Sequence, residues 1–124
     1  MNENYVCCDI RSARYGDLPA LIALLEKLFR IERDFQIDSQ RQERGLRMLL
    51  DDERSVVLVA EFEGAVAGMC TVQAVISTAE GGYSGLVEDV VVCEACRGRG
   101  IGSALLAAAQ RWAAARKIRR LQLL

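Results

Sequence analysis

Residues 86–106, LVEDVVVCEACRGRGIGSALL, combine an apolar strand pattern, a glycine-rich turn and the start of a helix. The three glycines allow the backbone to turn tightly and to present its N–H groups without obstruction by Cβ atoms. The first N–H groups of the helix point into the same space, where the helix dipole favours an anion. The two arginines add positive charge. The pattern therefore predicts a pyrophosphate cradle made of Arg97, Gly98, Arg99, Gly100, Ile101, Gly102 and Ser103.

Two other phosphate-binding loops fail to match this stretch. A Walker loop requires G-x-x-x-x-G-K-[ST], and no lysine follows these glycines. The dinucleotide fingerprint requires G-x-G-x-x-G, but the third glycine comes one residue early. The acid that should follow about 20 residues later is also absent.

Hydrophobic periodicity predicts a mixed sheet with helices packed on it, in the order β-α-α-β-β-β-α-β. The fold class is thus α/β in the broad sense, with an α+β mixed sheet. The predicted strands are Tyr5–Ser12, Ser55–Phe62, Ala65–Ser77, Gly85–Val92 and Arg119–Leu124. The predicted helices run from an N-cap at Asp17 to about Asp34, over Ser39–Asp51, and from Arg99 to about Arg116. Glu63-Gly64 predicts a tight hairpin, and Thr78–Ser84 predicts a loop.

Composition indicates one globular domain over residues 1–124, since 52% of the residues are hydrophobic, 27% are charged and the net charge is −1. No apolar run reaches the roughly 18 residues needed to cross a bilayer, so we expect no membrane partner. The first residues, MNENYVCCDIR, lack the pattern of a secretory signal. We therefore expect a cytoplasmic protein.

The chain contains no histidine, which excludes Ser–His–Asp and Cys–His catalysis and the commonest metal ligand. Five cysteines without a signal peptide argue against a disulfide framework. Cys93 and Cys96 have the C-x-x-C spacing of half a zinc site or of a redox pair. The adjacent Cys7–Cys8 is the one further cysteine pair, so we expect no metal and favour structural thiols.

Charge is unevenly distributed along the chain. The first 94 residues carry 9 basic and 17 acidic residues, whereas residues 95–124 carry 7 basic residues and no acid. A basic C-terminal helix is compatible with nucleic-acid binding. Trp112 lies at core spacing and no aromatic residue follows it, so the platform on which bases would stack is missing and nucleic acid is not the expected partner.

The glycine-rich turn resembles the cofactor signature of the GNAT superfamily of N-acetyltransferases, [RQ]-x-x-G-x-[GA], as Arg97-x-x-Gly100-x-Gly102. Ile10-Arg11-x-Ala13, followed by Asp17 and an apolar helix, resembles the opening of that family. The segment 88–92, EDVVV, is similar to the strand that precedes its cofactor loop. The order of elements agrees over nearly the whole chain.

The resemblance implies that acetyl-CoA is the co-substrate and that a small amine is the acceptor. It places the pyrophosphate on the amides of Gly98 to Ser103. It implies that the pantetheine arm pairs with the backbone of Val90, Val91 and Val92, much like an added strand. A backbone N–H of this strand, that of Val90, would meet the oxyanion.

An alkylammonium must lose its proton before it can attack a thioester, so a general base is useful. Counting by twos places Leu86, Glu88, Val90 and Val92 on one face of the strand, with Asp89 on the other. Glu88 is the first candidate for the base, and the resemblance to polyamine acetyltransferases of the superfamily supports it. Asp89 is the second candidate.

Family members continue beyond the last predicted strand with a helix, usually carrying a tyrosine, and a closing hairpin. The last tyrosine here is Tyr83, so the general acid lacks a counterpart and the fold is expected to be truncated at its C-terminus. Arg119–Leu124 would then form an open apolar edge. Three explanations stay open: the sequence is a fragment, a second copy in a homodimer covers the edge, or the protein has abandoned catalysis. The alternative hypothesis is a non-catalytic module that binds CoA or another partner.

Overall fold

A computed structural model of the chain describes residues 8–31 and 38–124. The strands are β1 (Asp9–Ser12), β2 (Ser55–Phe62), β3 (Ala65–Ser77), β4 (Gly82–Val92) and β5 (Leu121–Leu123). The helices are α1 (Leu18–Ile31), α2 (Ser39–Asp51) and α3 (Ile101–Ala115), and single 3₁₀ turns occupy Tyr15–Asp17 and Glu94–Cys96. The predicted order of elements and the mixed sheet are confirmed.

The five strands form one sheet in the order β1-β2-β3-β4-β5. Strands β1 to β4 pair with one another in antiparallel fashion, and β5 pairs in parallel with β4 after the α3 crossover. The predicted hairpin at Glu63-Gly64 is confirmed, because both residues have positive φ, 52° and 79°, as a type I′ turn requires. The dimer expected along the β5 edge stays a prediction.

Each face of the sheet buries one apolar cluster. On one face, α3 contributes Ile101, Leu105, Ala108 and Ala109 to a cluster with residues of β2, β3 and β4. On the other, Leu18, Leu21, Leu24 and Leu25 of α1 pack with Leu46 of α2 against Val57, Val59, Met69 and Val91. Successive residues of β2 alternate between the two clusters, which is the pattern of a strand buried on both faces.

Several predicted boundaries differ from the structure. Asp17 does not cap α1: its carboxylate accepts from the backbone N–H of Arg14 at 2.8 Å, within the 3₁₀ turn before the helix. Residues 82–84 belong to β4, whereas we predicted a loop, because they pair with the end of the long strand β3. The predicted start of the first strand at Tyr5 and the end of the first helix at Asp34 lie outside the described residues.

Arg11 joins β1 to the start of α1 and to β2. Its guanidinium donates two hydrogen bonds to the Asp17 carboxylate, at 2.8 and 2.9 Å, and its Nε donates to Glu61 at 2.6 Å. The side chains of Arg11 and Asp17 are only 21% and 12% exposed. This hydrogen-bonded ion pair holds the pKa of the Asp17 carboxyl below its usual value.

α3 packs closely against the sheet at Gly68. A Cβ at this position would lie 3.1 Å from the carbonyl oxygen of Val91 and 3.2 and 3.3 Å from side-chain atoms of Ile101 and Leu105. Gly68→Ala is therefore expected to lower the free energy of unfolding by about 1–3 kcal/mol, because the helix must shift. Urea denaturation followed by circular dichroism measures the change.

The control for this substitution is Gly45→Ala in the middle of α2, where an added Cβ would meet no atom within 4 Å. Alanine is expected to stabilise the protein there by about 0.5–1 kcal/mol, through helix propensity. Equal effects of the two substitutions would contradict the close approach at Gly68.

Asp17→Asn is expected to lower the free energy of unfolding at pH 7 by about 2 kcal/mol, because Arg11 loses one of its two carboxylate partners and keeps only Glu61. The folded-state pKa of Asp17 lies below its ordinary value of 3.8. The stabilisation is therefore complete above pH 3.8 and disappears as the pH falls through the folded-state pKa. Denaturation of the wild type and the variant at pH 7 and in acid should show that their difference in free energy of unfolding disappears in acid. The control is Asp9→Asn, at an exposed position of β1, which should change the free energy of unfolding little at either pH.

Candidate active site

The predicted cradle lies between the end of β4 and the start of α3. Gly98 and Gly100 have φ values of +81° and +80°, a left-handed conformation that other residues adopt only with strain. A Cβ at either position would meet no atom within 4 Å, so the space in front of both residues is open. The turn thus leaves room for a group to approach the backbone directly.

The first turn of α3 faces this space with its N–H groups. The N–H of Ala104 donates to the carbonyl of Gly100 at 3.0 Å, which closes the first helical turn. The N–H groups of Ile101, Gly102 and Ser103 precede that bond, so they point beyond the end of the helix. An anion placed there would gain hydrogen bonds and the favourable end of the helix dipole.

The two arginines of the cradle are both exposed, and one of them stacks on an aromatic ring. The Arg99 guanidinium lies 5.1 Å from the centroid of the Phe62 ring at the end of β2. This cation–π contact orients the Arg99 side chain beside the turn. Arg97 caps the 3₁₀ turn Glu94–Cys96 with its backbone N–H.

β4 carries a bulge immediately before the cradle. Glu88 pairs with Thr71 and Val91 pairs with Met69, so both Asp89 and Val90 lie opposite Cys70. Asp89 has φ +52°, the left-handed value that admits the extra residue. A bulge takes one residue out of the ladder, so a backbone group in this part of β4 is directed away from regular pairing with β3.

The bulge also corrects the predicted faces of the strand. Val87, Val90 and Val92 all pack on the α3 side of the sheet, whereas Val91 packs on the side of α1 and α2. Glu88 lies with Leu28 and Phe29 of α1 beside one cleft. The prediction that Glu88 and Val90 share a face is therefore wrong, because counting by twos fails across the extra residue.

Glu88 lines a cleft of about 550 Å³ together with the bulge and the end of the chain. The other lining residues are Leu28, Phe29, Asp89, Val90, Leu123 and Leu124. The hydroxyl of the buried Thr71 donates to the carbonyl of Glu88 at 3.1 Å, which anchors the backbone at the start of the bulge. Both predicted base candidates, Glu88 and Asp89, thus reach the same cleft as Val90.

A second cavity, of about 770 Å³, adjoins this cleft and is named here the α1–α2 cavity. Its lining residues are Leu25, Phe29, Asp38, Arg41, Gln42, Gly45, Leu46, Met48, Leu49, Asp52, Gln73 and Asp89. Three residues near these spaces were not predicted from the sequence: Phe29 and Gln42, which line them, and Thr71, which anchors the backbone of Glu88. Each sits in a regular helical or strand pattern, so no local signal separated these side chains from the core.

Two of the described cysteines, Cys70 and Cys93, lie in different environments. Cys70 is fully buried in the sheet, and this burial raises the pKa of its thiol to about 12. Cys93 accepts hydrogen bonds from the backbone N–H of Ala95 and from the Cys96 thiol, and these lower the pKa of Cys93. Among the described residues, no group of three His, Cys, Asp or Glu side chains is arranged to hold a metal ion.

Over residues 8–31 and 38–124, no helix is both long and apolar enough to cross a membrane.

On the basic C-terminal part of the chain, one arginine contacts an aromatic ring of the same helix region. The Arg116 guanidinium lies 4.2 Å from the centroid of the Trp112 ring, and Trp112 itself packs against the core on the α3 side.

Solved structures resemble the chain over almost all of its length. A transcriptional regulator from Bacillus halodurans C-125 matches with a TM-score of 0.82 at 26% identity, covering 94% of this chain and 81% of that one. A predicted acetyltransferase with acetyl-CoA from Clostridium acetobutylicum matches at 0.77 and 18% identity, with coverages of 94% and 80%. A ribosomal-protein-alanine N-acetyltransferase from Brucella melitensis biovar Abortus 2308 matches at 0.75 and 23% identity, with coverages of 94% and 78%.

These likenesses show that the chain shares the fold of these proteins. No curated protein matches the sequence. The model of the acetyltransferase (GNAT) family matches residues 19–124, and the chain therefore belongs to this family. Membership implies acetyl transfer from acetyl-CoA.

Proposed function

We propose that this protein transfers the acetyl group of acetyl-CoA to a primary amine of a small molecule. The observation that carries the proposal is the arrangement along one strand. Glu88 and the bulge at 89–90 open on a cleft, and the same strand ends in the glycine-rich cradle. A donor held at the cradle would extend along β4 towards Glu88.

The cradle would hold the pyrophosphate of the donor through the backbone N–H groups of residues 98–103, with Arg97 and Arg99 adding charge. Beyond Val87, the outer edge of β4 has no strand beside it within the described chain, since β5 pairs only with Gly85–Val87. The amides of the pantetheine arm would pair with the backbone of Val90, Val91 and Val92 along this edge, as in strand addition. The open space at Gly98 and Gly100 fits such a ligand.

Bound acetyl-CoA supplies an electrophilic thioester carbonyl. The acceptor amine must first lose a proton, which costs about 4–5 kcal/mol at pH 7 for an alkylammonium of pKa near 10.4. Glu88 would accept this proton, and the N–H of Val90 would donate to the oxygen that becomes negative as the C–N bond forms. The C–S bond then breaks, and the thiolate can leave without an acid because thiol pKa values are near 8.5.

Gly100→Asp is expected to abolish saturable binding of acetyl-CoA in calorimetric titration, because a carboxylate would occupy the open space in front of the cradle. Gly81→Asp is the matched control, since Gly81 also has a positive φ, +65°, but lies in the turn before β4. Loss of binding in both variants, or in neither, would count against the cradle.

Glu88→Gln is expected to lower kcat by about 10²–10⁴-fold, the contribution of a general base, while acetyl-CoA binding is retained. Thiol release in a panel of primary amines measures the rate. The variant Asp89→Asn tests the second candidate base by the same measurement of kcat. Glu53→Gln, at an exposed position, is the control and should leave kcat unchanged. A wild-type protein that binds acetyl-CoA but acetylates no amine would favour the non-catalytic binding module instead.

A further inference from the structure

Cys93 and Cys96 lie in the turn that joins β4 to the cradle, and the proposed acetyl transfer uses neither of them. Cys93 directly precedes the 3₁₀ turn Glu94–Cys96. The N–H of Cys96 donates to the carbonyl of Cys93 at 2.9 Å, which closes the turn. Such a turn keeps its first and fourth Cα atoms within about 7 Å, and a disulfide spans about 4.4–6.8 Å between Cα atoms. The backbone therefore accommodates a disulfide between these two residues.

The two thiols contact each other and are partly exposed. The Cys96 thiol donates a hydrogen bond to the sulfur of Cys93. Both residues are half-buried, whereas Cys70 is fully buried in the sheet. A reagent in solution can therefore reach the pair but not Cys70. Their spacing alone favoured structural thiols, but their contacts in the folded chain favour a reactive pair.

Cys93 is the better nucleophile of the two. The backbone N–H of Ala95 and the Cys96 thiol lower the pKa of Cys93 below its ordinary value, and the positive charge of Lys27 in α1 acts in the same direction. Partial burial of Cys93 opposes this shift without cancelling it. Because the thiolate is the reactive form of cysteine, Cys93 is more reactive at neutral pH than an ordinary thiol.

Cys96 is suited to the second step of an exchange reaction. Burial raises the pKa of Cys96, and its contact with Cys93 and the negative charge of Glu63 raise it further, whereas the positive charge of Arg99 lowers it. Cys96 therefore keeps its proton while Cys93 is a thiolate. A thiolate in contact with a protonated second thiol is the arrangement of reactive C-x-x-C motifs.

We propose that Cys93 and Cys96 form a reactive dithiol that exchanges with low-molecular-weight disulfides and is oxidised to an intramolecular disulfide. The Cys93 thiolate attacks one sulfur of the reagent RSSR, its S–S bond breaks, and RS⁻ leaves and takes up a proton. The Cys96 thiol then loses its proton and attacks the Cys93 sulfur of the mixed disulfide, which releases the second RSH. The protein loses two hydrogen atoms, and the reagent is reduced to two thiols. The inference is independent of the proposed acetyl transfer.

The test incubates the reduced, folded protein with glutathione disulfide at pH 7. Acid stops the reaction, the remaining thiols are alkylated, and peptide mapping by mass spectrometry locates each modification. We expect a disulfide between Cys93 and Cys96, seen as the loss of two hydrogen atoms, while Cys70 stays reduced. Failure of this disulfide to form, or stable glutathione adducts on both cysteines, would overturn the proposal.

Cys96→Ala separates the two steps. A glutathione adduct should accumulate on Cys93 in this variant, since no second thiol displaces the glutathione. Cys93→Ala is the matched variant, in which the adduct on Cys96 should form at least about tenfold more slowly because that thiol stays protonated. Cys8→Ser changes another half-buried cysteine and should leave the Cys93–Cys96 disulfide unaffected. Equal rates in the two alanine variants, or loss of the disulfide in Cys8→Ser, would contradict the proposal.

Alkylation of the wild type needs no variant. The initial rate of reaction with iodoacetamide is measured at each cysteine as a function of pH. We expect the midpoint for Cys93 to lie below the ordinary thiol value of about 8.5 and below the midpoint for Cys96. The reverse order of the two midpoints would overturn the assignment of Cys93 as the attacking thiol and the proposal with it.

Discussion

The antiparallel pairing of β3 with β4, interrupted by a single bulge, is the constraint on which the rest of the site depends. On one side of the bulge Thr71 faces Glu88, and on the other Met69 faces Val91. Because one extra residue is inserted, the side chains that follow it change faces relative to those that precede it. Glu88 consequently lies on the α1 side, while Val90 and Val92 contribute to the core under α3.

The position of α3 follows from the same pair of strands. Gly68 of β3 permits Ile101 and Leu105 to approach the backbone of the sheet, and the helix begins directly after the cradle. Close packing of the first turn of α3 therefore sets where its free N–H groups point. The bulge lies within β4 and the cradle is a turn between β4 and α3, so packing of these two elements against the sheet fixes both ends of the cradle.

The fold places the basic and the acidic residues of the chain in different regions of the molecule. The basic C-terminal quarter supplies the cradle, where an anion would bind. The acidic N-terminal part supplies the carboxylates of the α1–α2 cavity, where a cation would be favoured. β4 connects the two regions, because Asp89 lines the cavity and the strand ends at the cradle. The uneven distribution of charge along the sequence thus becomes a spatial separation between the basic cradle and the acidic cavity.

The order of elements, the hairpin at Glu63-Gly64 and the position of the glycine-rich turn can be predicted from the sequence alone, because they depend on periodicity and on local backbone preferences. The sequence also predicts Glu88, Asp89 and Val90 as candidate site residues on one strand. The face that each of them occupies follows from the pairing of β3 with β4, since a bulge arises from the register between two strands and has no signal in the sequence of either strand. The same holds for Arg11, because its partner Glu61 lies 50 residues away in the sequence.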